Sequence, residues 1–446
     1  MVVAPPSPEA ISTWVNALAE QGVKYVRFEL PDLHGVSRLK VVPLAKVEGY
    51  ARKGLNFYGG TLALDTASSV VSGSGYHEER KYCDMTLFPD IESCTPVPWM
   101  DSTVKVVCDA YWGRDEPIKG APRYVLQSLL ALAQQMGFEV MMGHEFEFYL
   151  LDAETHKPLF DGLHIFNHIR NQYVPEINQM LDHLQAAGID LITHNCEYAP
   201  SQFEINFGPG MCIKGADKAF TFKNSVKEIA HHLGYQASFM SKPFAGMAGC
   251  CCHFHISLWN SDGTNAFLDL NDADGLSQVA KSFTQGILDH APAMMPLIGP
   301  TPNCYRRLKP HTFAPSNISW GIEDRTAMVR MKATKDEGTH LEMRAASGLS
   351  NPYLSAAATL AAGLLGLKGQ RELQPMVDGP SEEDASLMPF PKTLDSALEA
   401  LGTDDAMQDL LGKEFCQLFS TVKAFELARF HDHITDWEVA EYLEVY

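Results

Sequence analysis

The chain has no excess of basic residues: 35 Lys and Arg stand against 55 Asp and Glu, a formal net charge of −20 at pH 7. Nucleic-acid phosphates are held by clustered cations, so this balance argues against nucleic acid as a partner. It permits a site that gathers divalent cations. Long hydrophobic runs are also missing. The most apolar late segment, residues 356–367, is too short to cross a bilayer, so no membrane partner is expected. The opening MVVAPPSPEA has neither the basic start nor the apolar run of a signal peptide. Ten cysteines in 446 residues are too sparse for a disulfide framework, and predict a cytoplasmic protein in a reducing compartment. Internal repeats and low-complexity segments are absent. What is present is a 46% hydrophobic chain, enough for a large core and, by length, for two or three domains.

Ser7-Pro8 followed by Ile11, Trp14, Val15 and Leu18 predicts a capped helix with one packed face. KYVRFEL and VSRLKVV read as strands joined by a turn around Pro31 to Gly35. Short strands and turns continue to about residue 110, which predicts a small α+β domain over 1–110. From Pro122 the pattern changes. Leu126, Leu129, Leu130 and Ala133 line one face of a helix over Pro122–Met136, ended by Gly137. Helices recur at about 174–187, 216–233, 276–290 and 351–367, with strands between several of them and a helical tail from about 394. The alternation predicts a larger α+β catalytic domain over 111–446.

Four segments place unusual side chains on one strand face. Strand side chains alternate. In GHEFEFYL, Glu145 and Glu147 share a face against Phe146 and Phe148. In QFEINF, Gln202, Glu204 and Asn206 oppose Phe203, Ile205 and Phe207. In HLEMR, His340, Glu342 and Arg344 oppose Leu341 and Met343. In CHFHISL, His253, His255 and Ser257 oppose Cys252, Phe254, Ile256 and Leu258. One such strand is best read as a solvated surface strand. Four of them, carrying carboxylate, imidazole and guanidinium rather than Lys, Thr or Ser, favour a shared cavity. Unpaired carboxylates there are costly, and divalent cations remove the cost. Glu145, Glu147, Glu197, Glu204, Glu342 and His253 are the expected ligands. An oxygen-rich set favours magnesium or manganese over zinc or copper.

GCCCHFHISLW, residues 249–259, also suggests a thiolate–imidazole site. Adjacent cysteines point to opposite faces of a strand, however, and zinc sites space cysteines by two to four residues. Cys250, Cys251 and Cys252 are therefore read as small buried hydrophobes.

The same segments resemble the glutamine synthetase family over nearly the whole chain. GHEFEF is similar to its paired-glutamate strand, and HNCEYAPSQFEI to its second metal segment. KPFAGMAGCCCHFHIS resembles its glutamate and nucleotide segment. CYRRLKP and IEDRTAMVR resemble its arginine segments, and HLEMRAASGLSNPYL its last metal segment. The resemblance implies a β-grasp N-terminal domain and a catalytic domain with a curved antiparallel sheet lining the active site. It implies that Glu147, Glu197 and Glu204 hold one metal ion, and Glu145, His253 and Glu342 another, with two or three Mg2+ or Mn2+ per site. His255 and Ser257 would contact ATP, and Gly249 would lie against the amino-acid end of L-glutamate. Arg307 and Arg344 would bind substrate carboxylates. Arg325 and Arg330 would face phosphate, with Arg325, Arg344 and Glu147 catalytic. Arg306 is read as an ordinary surface residue. The implied reaction phosphorylates the γ-carboxylate of glutamate and then displaces phosphate with a nitrogen nucleophile. The implied assembly is a homo-oligomer, a dodecamer of two hexameric rings with active sites between subunits.

Two departures bear on the nucleophile. Where ammonia-using members read roughly F-D-G-S, this chain reads FYGGT, with Tyr58 in place of the aspartate. Where they carry a glutamate before Ala-Pro, RLKPHTFAP places Phe313. Acids attract ammonium and remove its proton. An aromatic wall suits a bulkier, less charged amine. The expected activity is ATP-dependent ligation of glutamate to a hydrophobic or aromatic amine such as aniline, in amine catabolism and of the γ-glutamylanilide synthase type. Ammonia, a short alkylamine, ethanolamine or a polyamine are the alternative acceptors. A third departure puts Ala248 where the family has an asparagine near substrate glutamate. A non-catalytic relative would have lost metal carboxylates or phosphate arginines, and none is missing. A guanidino-kinase-like phosphotransferase would not need the HFHIS and NPYL segments.

Overall fold

The computed structural model describes residues 5–162, 165–377 and 379–446. The first helix spans Pro8–Glu20 and is capped by the Ser7 side chain, which accepts the Ala10 N–H. Strands Tyr25–Pro31 and Ser37–Pro43 pair antiparallel as expected. Asp32 ties their turn by accepting the N–H groups of His34 and Val36. They belong to a sheet whose order runs Ser37–Pro43, Tyr25–Pro31, Thr103–Trp112, Asp84–Pro89, Leu55–Tyr58, with Glu116–Pro117 paired to Thr103–Trp112.

The second sheet has nine strands. Its path runs Trp320–Ile322, Val329–Lys332, His340–Met343, Cys252–Asn260, Phe138–Asp152, Gln202–Phe207, Leu191–Cys196. All of these neighbours pair antiparallel except the first two, which are parallel. The fold is α+β, with this curved sheet forming a half-barrel. The helix expected at 216–233 spans Ile213–His232 and lies under the sheet. Its Phe222 ring sits 4.7 Å from that of Phe207 and 5.9 Å from that of Phe146. The other expected helices form at Pro122–Gln135, Ile177–Ala186, Gln278–Asp289 and Pro352–Lys368. The tail resolves into four helices between Leu394 and Tyr442.

Burial locks the sheet register. Phe146, Phe148, Phe203 and Ile205 are at most 1% exposed. Slipping a strand by one residue would bury Glu145, Glu147 or Glu204 in their place. Each buried apolar side chain is worth about 2–3 kcal/mol, and burying an uncompensated carboxylate costs several more.

Candidate active site

The antiparallel register lays the polar faces of separate strands side by side. Glu204 pairs directly with Glu147, and Asn195 with Glu204. His253 pairs with Glu145. Glu342 lies between His255 on one side and Arg330 on the other. The cavity face therefore reads across six strands as amide, carboxylate, carboxylate, imidazole, carboxylate and guanidinium.

Glu147, Glu197 and Glu204 each bring a carboxylate oxygen within 4.8 Å of the other two. Glu197 sits in the turn after Leu191–Cys196, beyond the reach of strand parity. Burial, reinforced by the charge on Glu147, pushes Glu197 up to about 7. Burial and the charges of Glu145, Glu147 and Glu197 push Glu204 up to about 10. Three crowded carboxylates cannot all ionise without a compensating cation. An all-oxygen trio of this kind suits a hard divalent ion.

The second trio is held differently. His253 Nδ1 lies 2.9 Å from Glu145 Oε1 and 3.5 Å from Glu342 Oε1. Burial opposes ionisation of Glu145, but hydrogen bonds to His253 and His255 outweigh it and hold the carboxyl well below its ordinary range. Glu342 is drawn down to about 2 in the same way: burial opposes ionisation, and the charges of His253, Arg344 and His255 prevail. Arg330 Nη1 donates to Glu342 Oε2 at 3.0 Å, and Arg344 Nη1 to Glu342 Oε1. Two guanidinium groups thus supply positive charge to Glu342. The donor set still fits a divalent cation, with one imidazole and two ionised carboxylates.

The remaining expected residues fall around these trios. His255 Nδ1 is 3.0 Å from His340 Nε2, and its Nε2 is 3.7 Å from Glu145. The Ser257 hydroxyl is buried and accepts Trp259 Nε1–H at 3.0 Å. Arg307 is 6% exposed, and its Nη2 donates to the carbonyls of Ala345 at 2.7 Å and Ala346 at 3.0 Å. Its Nε is buried with no partner among the described residues. Arg306 next to it is exposed. Arg325 is exposed, and its carbonyl accepts Arg344 Nε–H at 3.0 Å. A Cβ on Gly249 would stand 2.6 Å from the Ser241 carbonyl and 2.8 Å from Arg307 Cγ, so only glycine lets Arg307 lie against this turn.

Cys250, Cys251 and Cys252 are at most 3% exposed, and burial raises each thiol. All three are free; Cys252 packs with Phe146, Phe148 and Phe203, and Cys250 in a separate cluster with Tyr149, Leu151 and Ala199.

Phe313 is 66% exposed, with φ +56, a conformation uncommon for a bulky residue. Its ring lies 5.9 Å from that of Tyr198, the residue after Glu197. Tyr58 sits on the first sheet, where its hydroxyl is 2.5 Å from His77 Nδ1. No contact joins Tyr58 to Phe313 within one chain among the described residues.

Sequence reasoning missed the amides. Each carboxylate of the first trio accepts one: Gln202 to Glu147 at 3.3 Å, Asn195 to Glu197 at 2.9 Å, and Asn206 to Glu204 at 3.0 Å. The alternation Gln202, Glu204, Asn206 carried that signal. Tyr198 was also missed, although the motif HNCEYAP displays it.

The model of the glutamine synthetase catalytic domain matches residues 119–442. A glutamine synthetase of Methanocaldococcus jannaschii is 33% identical over 96% of this chain and 97% of its own length. One from Thermotoga maritima is 32% identical over 97% and 99%. Among solved structures, GmaS without ligand superposes with a TM-score of 0.86 at 29% identity, over 96% of this chain and 99% of that one. GmaS with ADP gives the same TM-score and identity, over 97% and 99%. With five carboxylates and one imidazole gathered at one curved sheet and this likeness along nearly its full length, the chain belongs to the glutamine synthetase family.

Proposed function

We propose that the protein is an ATP-dependent ligase that joins L-glutamate to a hydrophobic or aromatic amine, giving a γ-glutamyl amide, ADP and phosphate. The observation that carries this reading is the aromatic pair beside the first carboxylate trio. Phe313 is largely exposed and faces Tyr198 next to Glu197; by the motif resemblance it takes the place of an acid in ammonia-using members.

The reaction has two steps. A γ-carboxylate oxygen of glutamate attacks the γ-phosphorus of ATP, and ADP leaves. The amine nitrogen then attacks the acyl carbon, phosphate leaves, and the nitrogen gives up one proton. Glu147, Glu197 and Glu204 would hold one divalent ion, and Glu145, His253 and Glu342 another. Bound there, the ions would neutralise charge on the transferring phosphoryl group and the substrate carboxylate. Magnesium or manganese, two or three per site, is the proposed cofactor. Arg330 and Arg344 sit on Glu342, placing two cationic forks beside this ligand set for phosphate and carboxylate oxygens. Arg325, exposed at the same edge, would meet the developing charge. His255 and Ser257 would face the nucleotide. Gly249 and Arg307, packed together, would receive the amino-acid end of glutamate. Tyr58 would complete the acceptor wall from a neighbouring subunit of a dodecamer. An aromatic amine is largely neutral near pH 7, so its attack needs no carboxylate base to remove a proton beforehand.

A second reading is favoured by the likeness to GmaS, a γ-glutamylmethylamide synthetase. A short alkylamine would then be the acceptor, and it would need a base to lose its ammonium proton. ADP release with glutamate, ATP and either ammonia, aniline, methylamine, isopropylamine, ethanolamine or putrescine separates these readings. Aniline or another hydrophobic amine should give the highest kcat/KM. Ammonia as the best acceptor would overturn the proposal.

A further inference from the structure

Gln202 opens the strand Gln202–Phe207, is 1% exposed, and is read by no part of the chemistry above. Its side chain reaches three segments at once. Nε2 donates to the Gly249 carbonyl at 3.0 Å and to Glu147 Oε2 at 3.3 Å, with the Cys250 thiol 3.7 Å away. Oε1 accepts the Ala199 N–H at 3.1 Å, in the turn that carries Glu197. Its cross-strand partner is Tyr149, whose hydroxyl donates to the neighbouring carbonyl of Ala248 at 2.7 Å. Two facing side chains therefore clamp two consecutive carbonyls of the turn before Cys250. The same turn returns a contact to the metal site, because the Cys251 N–H donates to Glu147 Oε2 at 2.9 Å.

We infer that Gln202 is a positioning residue that couples the Glu147 carboxylate to the Gly249 turn, so that cation binding and glutamate binding favour each other. The inference rests on the family's metal and glutamate chemistry at this site, and is independent of which amine is used. The physical basis is that Glu147 Oε2 is oriented by two N–H donors, one from Gln202 and one from the turn, which leaves Oε1 for a cation. Fixing the carboxylate on the ion fixes the amide, and the same amide fixes the carbonyl of Gly249. A substrate amino group seated on that carbonyl meets a turn already in place. Outer partners of metal ligands commonly control affinity by about 10–100-fold. The departure at Ala248 makes the clamp matter more here, because the turn has lost a side chain that could have held substrate itself.

The test is calorimetric titration of Mn2+ into the assembled protein, with and without L-glutamate, for wild type and Gln202→Met. Methionine keeps the volume and removes both donors. Wild type should bind Mn2+ several-fold more tightly with glutamate present. Gln202→Met should lose most of that coupling and raise the glutamate KM about tenfold, while the KM for ATP moves less than about twofold and the melting temperature stays within a few degrees. Gln202→Glu, which keeps the acceptor for Ala199 and the side-chain shape, serves if the methionine variant fails to fold; it too should raise the glutamate KM. Unchanged coupling and glutamate KM in a folded variant would overturn the inference. So would a wild type whose Mn2+ affinity is indifferent to glutamate, since there would be no coupling for Gln202 to carry. A wrong assignment of the amine would leave all of these results as stated.

Discussion

Phe313 and Gly249 are proposed to serve different substrates, the amine and glutamate, and substitutions at the two positions separate those roles. Phe313 keeps a left-handed backbone that costs on the order of 1 kcal/mol, and it spends an exposed ring beside Tyr198. Phe313→Glu combined with Tyr58→Asp should return an acidic acceptor site. Ammonia kcat/KM in the ADP-release assay should rise about tenfold or more relative to aniline, the range that differential polar contacts give. A Cβ at Gly249 would meet backbone at Ser241 and the stem of Arg307. Gly249→Ala should therefore displace Arg307 and raise the glutamate KM. Misplacement of this size in a binding clamp costs up to about a hundredfold in kcat/KM, with ATP affinity nearly unchanged in a nucleotide-binding assay.

At the scale of elements, the helix Lys413–His431 is pinned to the first sheet by Glu426. That carboxylate lies 2.6 Å from His34 Nε2, 2.8 Å from Lys423 Nζ and 3.1 Å from the Thr66 N–H. Burial opposes its ionisation, but the His34 and Lys423 contacts prevail and draw it down to about 2. A folded pKa below the ordinary carboxylate value of about 4.3 means the stabilisation is present above that value. It is lost as pH falls from about 4.3 toward 2. Glu426→Gln should cost about 1–3 kcal/mol at pH 7, with the gap to wild type closing across that acid window in denaturant melts. Helices and strands with clean periodicity, such as Pro122–Gln135 and the Glu145–Phe148 alternation, were legible in the sequence. The helix Ala291–Ile298 was not, because prolines at 292 and 296 read as breakers, although the first sits in the tolerant opening turn. Glu197 escaped strand parity because it lies on a turn, so alternation alone could not place it beside Glu147 and Glu204. The pairing of Glu342 with Arg330 and Arg344 was invisible for another reason: alternation gives a face, and neither register nor rotamer.

The whole molecule is joined by buried charge. Arg123, 2% exposed, binds Asp109 on a strand of the first sheet, Asp90 just after another, and Asp217 on the helix under the second. Tyr353 donates to the same Asp217 at 2.6 Å. Arg123→Met would leave three carboxylates without their cation, and should cost about 3–5 kcal/mol, read as a large drop in melting temperature. The family is typically oligomeric. The tail exposes Ile434, Trp437, Leu443 and Val445 at 62–74%, a set of large apolar side chains that a contact between subunits would cover. Removing residues 434–446 should reduce the mass found by light scattering, while an assembly of unchanged size would show that the tail takes no part in it.

The proposed activity is formation of a γ-glutamyl amide from an amine in preference to ammonia. The most direct measurement is a single competition reaction containing glutamate, ATP, Mg2+, ammonia and aniline at equal concentration, with products identified by mass spectrometry. γ-Glutamylanilide should be the dominant product, dependent on ATP and abolished by Glu147→Ala. Glutamine as the dominant product would contradict it.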